Sequence, residues 1–176
     1  MSIKEVWVPD VLSLPPSAYY AQLRPIRDGG NVLSKTKTHH KTIVHNYGHG
    51  GAGISLAPGC AIEAVAMAQG EPCTAAAIIG CGIVALFTAR DFLRANPKVP
   101  LTIYTEKIPV YPNKDNASLI TSQVPPGYFN PSNYVPDLKL RKVLAERGLA
   151  EYSKLRDSSR YRHCVKDVDV IDIADK

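Results

Sequence analysis

Several things are missing from this sequence, and each absence excludes something. No apolar run is long enough to span a bilayer. The opening MSIKEVWVPD lacks the apolar core of a secretory signal. The four cysteines, Cys60, Cys73, Cys81 and Cys164, have no CxxC spacing, so reduced thiols are expected rather than a disulfide framework. There is no arginine–glycine tract and no aromatic–basic interleaving of the kind that binds nucleic acid. Neither nucleic acid nor membrane is therefore expected as a partner. A cytoplasmic location is expected, since the final Ala174-Asp175-Lys176 is not a peroxisomal address. No G-x-S-x-G elbow surrounds Ser55, so that serine reads as a hydrogen bonder and not as a nucleophile. His45 and His49 lie four apart with His39 and His40 nearby, but no Glu or Cys completes a set of ligands, and no metal site is expected.

What is present suits a globular fold. The chain has 176 residues, 45% of them hydrophobic, enough for one domain or for part of a larger one. The net charge is +5, and much of the excess lies in the last third, on residues such as Lys139, Arg141, Lys142, Arg160, Arg162 and Lys166. These read as a solvated helix face, or as a face that draws in an anionic substrate or cofactor. Asn116-Ala-Ser118 fits the glycosylation triplet by chance, given the lack of a signal.

The chain divides into an irregular segment over 1–40, punctuated by Pro9, Pro15, Pro16, Pro25 and Gly29-Gly30, then a core over 41–106, then a loop, helix and terminal strand over 107–176. Lys41–His45 predicts a strand, Pro58–Gln69 a helix stopped by Gly70, and Ala75–Ile79 a strand buried on both faces. Ile83–Ala95 predicts a helix broken by Asn96-Pro97, and Leu101–Thr105 a third strand. Residues 107–136, rich in Pro, Asn, Ser and Tyr, predict an ordered loop. A helix over 137–153 is N-capped by Asp137, and the alternation of Val165–Ile173 predicts a last strand. Strand, glycine loop, helix, repeated, predicts an α/β fold with a doubly wound, Rossmann-like parallel sheet. Both glycine loops then fall at the carboxyl ends of the strands, where open α/β sheets bind ligands.

The second loop, Gly80-Cys-Gly82-Ile83-Val-Ala85, has the G-x-G-x-x-A form of a dinucleotide fingerprint. Gly80 permits the tight turn, Gly82 the approach of a pyrophosphate, and Ala85 close packing of helix on strand. The helix start presents free N–H groups and a positive dipole end. Glu106 ends the next strand, where an acid holds the adenosine ribose, with Lys107 beside it. The alternative is a tight turn without a ligand. In the first loop, HNYGHGGAGIS, Gly48, Gly50, Gly51 and Gly53 leave the backbone bare for a flat ligand or a ribityl–phosphate chain, and Ser55 adds a hydroxyl. FAD is long enough to touch both loops.

HNYGHGGAGISLAPGCAIEA resembles the C-terminal flavin-binding signature of the D-amino-acid oxidase family of FAD-dependent oxidoreductases. LRPIR, residues 23–27, resembles the stretch upstream of that signature, and AAIIGCGIVALFTAR the family's N-terminal fingerprint. LTIYTEK with ITSQVPPGYFNP resembles the strand and flavin-contact segment that follow. The likeness covers roughly residues 20–135. It implies FAD contacts at His49, Gly50, Gly51, Gly53, Ile54 and Ser55 in the first loop, and at Thr121, Ser122, Gly127 and Tyr128 in the contact segment. Tyr47 and Tyr128 are placed to flank the ring system or simply to pack.

Three departures accompany the likeness. The order of the two motifs is reversed, as in a circular permutation. The middle substrate domain has no counterpart. The family's carboxylate-binding arginine falls at Asn31, leaving Arg27 as a substitute substrate contact. The family reaction is oxidation of a D-amino acid by hydride transfer to flavin, with peroxide release, and needs no side-chain acid or base if the amine arrives neutral. The competing readings are a flavin-binding module without turnover, completed by a second copy or by a partner chain that supplies the substrate pocket, and a nicotinamide-binding reductase. The last leaves the first loop unexplained.

Overall fold

The first strand comes earlier than the irregular segment predicted over 1–40 allows. In the computed structural model, which describes residues 13–16, 21–109, 119–124, 127–131 and 135–167, Val32–Lys37 form β1. It pairs antiparallel with β2, Thr42–Tyr47, from Val32 opposite Tyr47 to Lys37 opposite Thr42. The Thr38 N–H donates to Lys41 O at 2.9 Å and closes the turn. The strand predicted at 41–45 is therefore half of a hairpin and not a member of a parallel sheet. Pairing across a four-residue turn costs little loop entropy, and a crossover to a distant strand costs more.

Helix α1, Gly53–Ala68, starts five residues before the predicted Pro58. Gly70, at φ +78, turns the chain away after it. Pro58 lies inside the helix, so the carbonyl of Ile54 has no N–H to accept from. The Tyr152 hydroxyl fills that place, donating to Ile54 O at 2.6 Å.

Strand β3, Ala76–Ile79, helix α2, Ile83–Ala95, and strand β4, Leu101–Tyr104, form one β-α-β unit. The two strands are parallel, with Ala76 opposite Leu101 and Ile79 opposite Tyr104. Among the described residues this sheet has two strands, so the parts of a doubly wound sheet reduce to a single unit. The apolar run of β3 is not buried on both faces: Ile79 is 91% exposed and Tyr104 61%. Its alternate residues Ala76 and Ile78 are half-buried while Ala77 and Ile79 face out, because among the described residues only one face of the sheet has a helix on it.

Helix α3, Leu138–Asp157, is N-capped as expected, with the Asp137 carboxylate accepting from the N–H groups of Lys139 and Leu140. Residues 165–167 carry no strand, and the rest of the strand predicted to Ile173 lies outside the described residues, as does Asn116–Ser118. The core is built on α1, which packs against the hairpin, α2 and α3. Ala52, Leu56, Cys60, Val135 and Leu144 form its buried centre. Two glycines allow the closest approach: a Cβ on Gly59 would overlap Leu144 O, and one on Gly148 would overlap Ser55 O. No helix among the described residues is long and apolar enough to cross a membrane.

Candidate functional site

The amino end of α2 is held open. Gly80 takes φ +99, and a Cβ there would meet nothing within 4 Å. Its N–H donates to Tyr104 O at 2.7 Å, tying the turn to the end of β4. Gly82 is extended and leads into the helix with no side-chain cap of its own. Ser122 supplies one from elsewhere: its Oγ accepts the Ile83 N–H at 3.2 Å. Ser122 stands on a short 3-10 turn, Thr121–Gln123, whose Gln123 side chain accepts the Ile120 N–H at 3.1 Å. Thr121 Oγ1 donates to Leu23 O at 3.2 Å, and Gln22 Nε2 donates to Leu119 O at 3.2 Å.

These contacts leave a cleft of about 390 Å³ at the carboxyl ends of β3 and β4, lined by Cys81, Gly82, Glu106, Lys107, Thr121 and Ser122, with Gln22 at its side. Glu106 is exposed and has no ion-pair partner among the described residues. Ala85 lies half-buried in the first turn of α2. Gly127 takes φ +73 in open space, and Tyr128 is 52% exposed. Gly82, Glu106, Lys107, Thr121 and Ser122 thus come together around one cleft, with Gly80 and Ile83 within two residues of Gly82 in the chain. Gln22 was not expected there; the polar residue one position ahead of LRPIR was the available signal.

The first loop is folded inward. Gly48 and Gly50 take positive φ, and Gly48, His49 and Gly50 are all buried. The Gly50 N–H donates to Pro25 O at 3.1 Å, and the Ala52 N–H to His49 O at 2.9 Å. A Cβ on Gly48 would sit 3.3 Å from Arg27 Cβ. His49 is 3% exposed, its Nε2 has no partner among the described residues, and burial pushes its pKa down to about 4, so the ring is neutral near pH 7. His45 instead lies against Thr36 Oγ1 at 3.1 Å, so the two histidines do not converge.

Ser55 and Ile54 are engaged from the other side. Ser55 Oγ accepts the Asn130 N–H at 2.7 Å, and Ile54 O is held by Tyr152. Tyr152 also meets Phe87 and Phe129 edge-on, and burial raises its phenol above the ordinary range. Gly51 is exposed and Gly53 half-buried, so these two are what the loop still presents outward. Arg27 Nη1 donates to the carbonyls of Asp28 at 2.9 Å and Gly30 at 3.4 Å, which commits its guanidinium to its own turn. Asn31 keeps a buried Nδ2 without a partner among the described residues. One short stretch joins the two loops: Gln22 and Leu23 hold the 119–121 segment, Pro25 holds Gly50, and Arg27 packs on Gly48.

The cysteines sit apart from the cleft except Cys81. Cys60 is fully buried, and burial, with Glu63 adding to it, pushes its thiol up to about 12, which makes it inert. Away from both loops, Arg90 bonds Glu151 Oε2 at 3.1 Å. Burial alone would raise the Glu151 carboxyl, but Lys154, Arg90 and Arg94 together hold it below its ordinary value.

The residues of the cleft fit the adenosine-diphosphate end of a dinucleotide. A Cβ-free turn stands at a helix start, with a free carboxylate across from it at the end of the neighbouring strand. At the first loop the Gly50 and Ala52 N–H groups are engaged within the protein, while the buried His49 Nε2 has no partner among the described residues.

The chain is similar in part to two D-amino-acid oxidases. It is 42% identical to that of Streptomyces coelicolor over 61 residues, which is 35% of this chain and 19% of that protein. It is 58% identical to that of Dictyostelium discoideum over 33 residues, which is 18% of this chain and 10% of that protein. The matched stretches thus span about a fifth and a tenth of those relatives. No family model matches the chain, and no solved structure matches it significantly.

Proposed function

We propose that this chain is the FAD-binding part of a D-amino-acid-oxidase-type oxidoreductase. The unit β3–α2–β4 is read as the first β-α-β unit of a Rossmann-like flavin domain, in permuted order relative to the relatives. The observation that carries this reading is one cleft that brings Gly82, at the amino end of α2, together with Glu106, two residues beyond the adjacent parallel strand β4. The α2 amino end would take the pyrophosphate, and Glu106 would accept from the ribose hydroxyls. Ser122 would keep the Ile83 N–H aligned at the mouth. Gly51 and Gly53 would let the flavin end lie against bare backbone. The flavin, when bound, supplies the hydride acceptor for oxidation of a D-amino acid, with peroxide release on reaction with oxygen.

A second reading, a binding module that leaves turnover to a partner chain, draws on two observations. The outer face of β3–β4 is uncovered among the described residues, and the matches span a small share of the relatives. Arg27 is committed to its own turn, which takes its guanidinium away from a substrate carboxylate.

The test is a visible absorbance spectrum of the protein after incubation with FAD and removal of the excess, followed by anaerobic addition of mixed D-amino acids. A retained flavin spectrum that bleaches is expected for the oxidase. A retained spectrum that does not bleach leaves the module. No retained flavin sinks both.

A further inference from the structure

We propose that Gln22 and Thr121 are positioning residues that clip the 119–122 segment in place as a wall of the cleft, and so set how tightly the cleft takes a dinucleotide. The dinucleotide as ligand rests on the flavin reading above; the clip does not.

Leu119, Ile120, Thr121 and Ser122 all line the cleft. This wall contains a 3-10 turn of three residues, too short to hold its own place. Among the described residues, three hydrogen bonds tie it to distant parts of the chain. The Ile83 N–H donates to Ser122 Oγ, Gln22 Nε2 to Leu119 O, and Thr121 Oγ1 to Leu23 O, each at 3.2 Å. Two of the three thus come from residues 22 and 23, 97 and 98 positions away.

The stretch that supplies them is fixed at its other end. Pro25 O accepts the Gly50 N–H at 3.1 Å, and Arg27 packs on Gly48. Pro25 also locks its own φ and restricts Arg24 before it. Leu23 and Ile26 are exposed, so polar contacts rather than apolar burial hold the stretch. The inward-folded first loop is therefore the anchor from which the wall of the second is held. With the wall in place, Ser122 Oγ stands at the helix start where a pyrophosphate would bind. With the clip undone, the ordering of the wall opposes binding.

The test separates positioning from direct contact with a ligand. Cys81 lines the cleft and Cys60 is fully buried, so in a chain carrying Cys73→Ser and Cys164→Ser a thiol reagent reads Cys81. Gln22→Met keeps the length of the side chain and removes its N–H donor. Thr121→Val removes the hydroxyl, and Thr121→Ser keeps it. Without any ligand, Gln22→Met and Thr121→Val are each expected to speed Cys81 labelling about 3-fold, and the pair about 10-fold. Thr121→Ser should label at the wild-type rate, and all urea midpoints should stay unchanged. The dissociation constant for FAD, read by flavin fluorescence, is expected to rise in the same order. Labelling at the wild-type rate in Gln22→Met and Thr121→Val would overturn the clip, whatever flavin does. Faster labelling matched by a lower urea midpoint would overturn it as well, since the effect would then lie in the whole fold. Faster labelling with unchanged FAD affinity would overturn its role in binding. A wild type that binds no FAD would overturn the flavin reading and, here, the dinucleotide part alone.

Discussion

The two glycine loops follow the same local pattern and end in opposite surroundings. In the first, Gly48, His49 and Gly50 are buried, Ser55 is held by Asn130, and α3 lies so close that Gly59 and Gly148 have no room for a methyl group. In the second, Gly80 opens onto empty space beside a two-stranded sheet with Ile79 almost fully exposed. A glycine loop is thus a permission for close approach, and what approaches differs. At the first loop it is the protein's own backbone. At the second the space stays open among the described residues.

The sharpest way to break this contrast is to add one methyl group on each side. Gly59→Ala drives a Cβ into the Leu144 carbonyl, and α1 and α3 must separate. A loss of about 4 kcal/mol or more is expected, read as a collapse of the urea midpoint or as failure to fold. Gly80→Ala meets no atom and is expected to cost only about 1–2 kcal/mol for the backbone at φ +99. Equal losses at the two sites would refute the distinction.

Acid should attack the packed side first. The His49 pKa lies at about 4, below its ordinary value of 6.5, because burial disfavours the charged ring. Between those two values the unfolded chain binds more protons than the folded one, so stability falls as pH drops from 6.5 toward 4. The window is worth up to about 3 kcal/mol. His49→Gln should flatten that part of a stability–pH curve measured by urea melts at several pH values. An unchanged slope would show that the ring is not what senses the acid.

The smallest effect compares one hydroxyl with one whole side chain. Tyr152→Phe removes the donor that replaces the missing N–H of Pro58, leaving Ile54 O unpaired, for an expected loss of about 1–3 kcal/mol. Ile79→Thr, at a site 91% exposed, should stay within about 0.5 kcal/mol in the monomer. Thermal melts of both at the same concentration decide the order, and a larger loss at Ile79 would mean that its face is covered.

Much of the fold was legible because it is local. The Asp137 cap, the stop at Gly70 and the break at Asn96-Pro97 depend on neighbours in the chain, and the structure has all three. The β-α-β unit with its turn at Gly80 was legible for the same reason. The hairpin partner of β2 was not: VLSKTK carries two lysines and no strong alternation, and it becomes a strand through the pairing with β2. The burial of β3 was misjudged because an apolar run fits a strand covered on both faces, and how many faces are covered is not a property of the run. In the site, Gly82 and Glu106 were expected together from spacing and Thr121 and Ser122 from the resemblance, whereas the engagement of Ser55 and Ile54 rests on contacts made across long stretches of chain.

By itself, then, the sequence determined where the chain bends, where helices begin and stop, and which short stretch could face phosphates, since these depend on backbone freedom and on neighbours a few residues away. Only the tertiary structure decided that one glycine loop would be closed, by Pro25 on Gly50 and Arg27 on Gly48, and the other left open. That outcome depends on which distant surface comes to rest on each loop, and on Pro58, whose missing N–H drew Tyr152 onto α1 from 94 positions later in the chain.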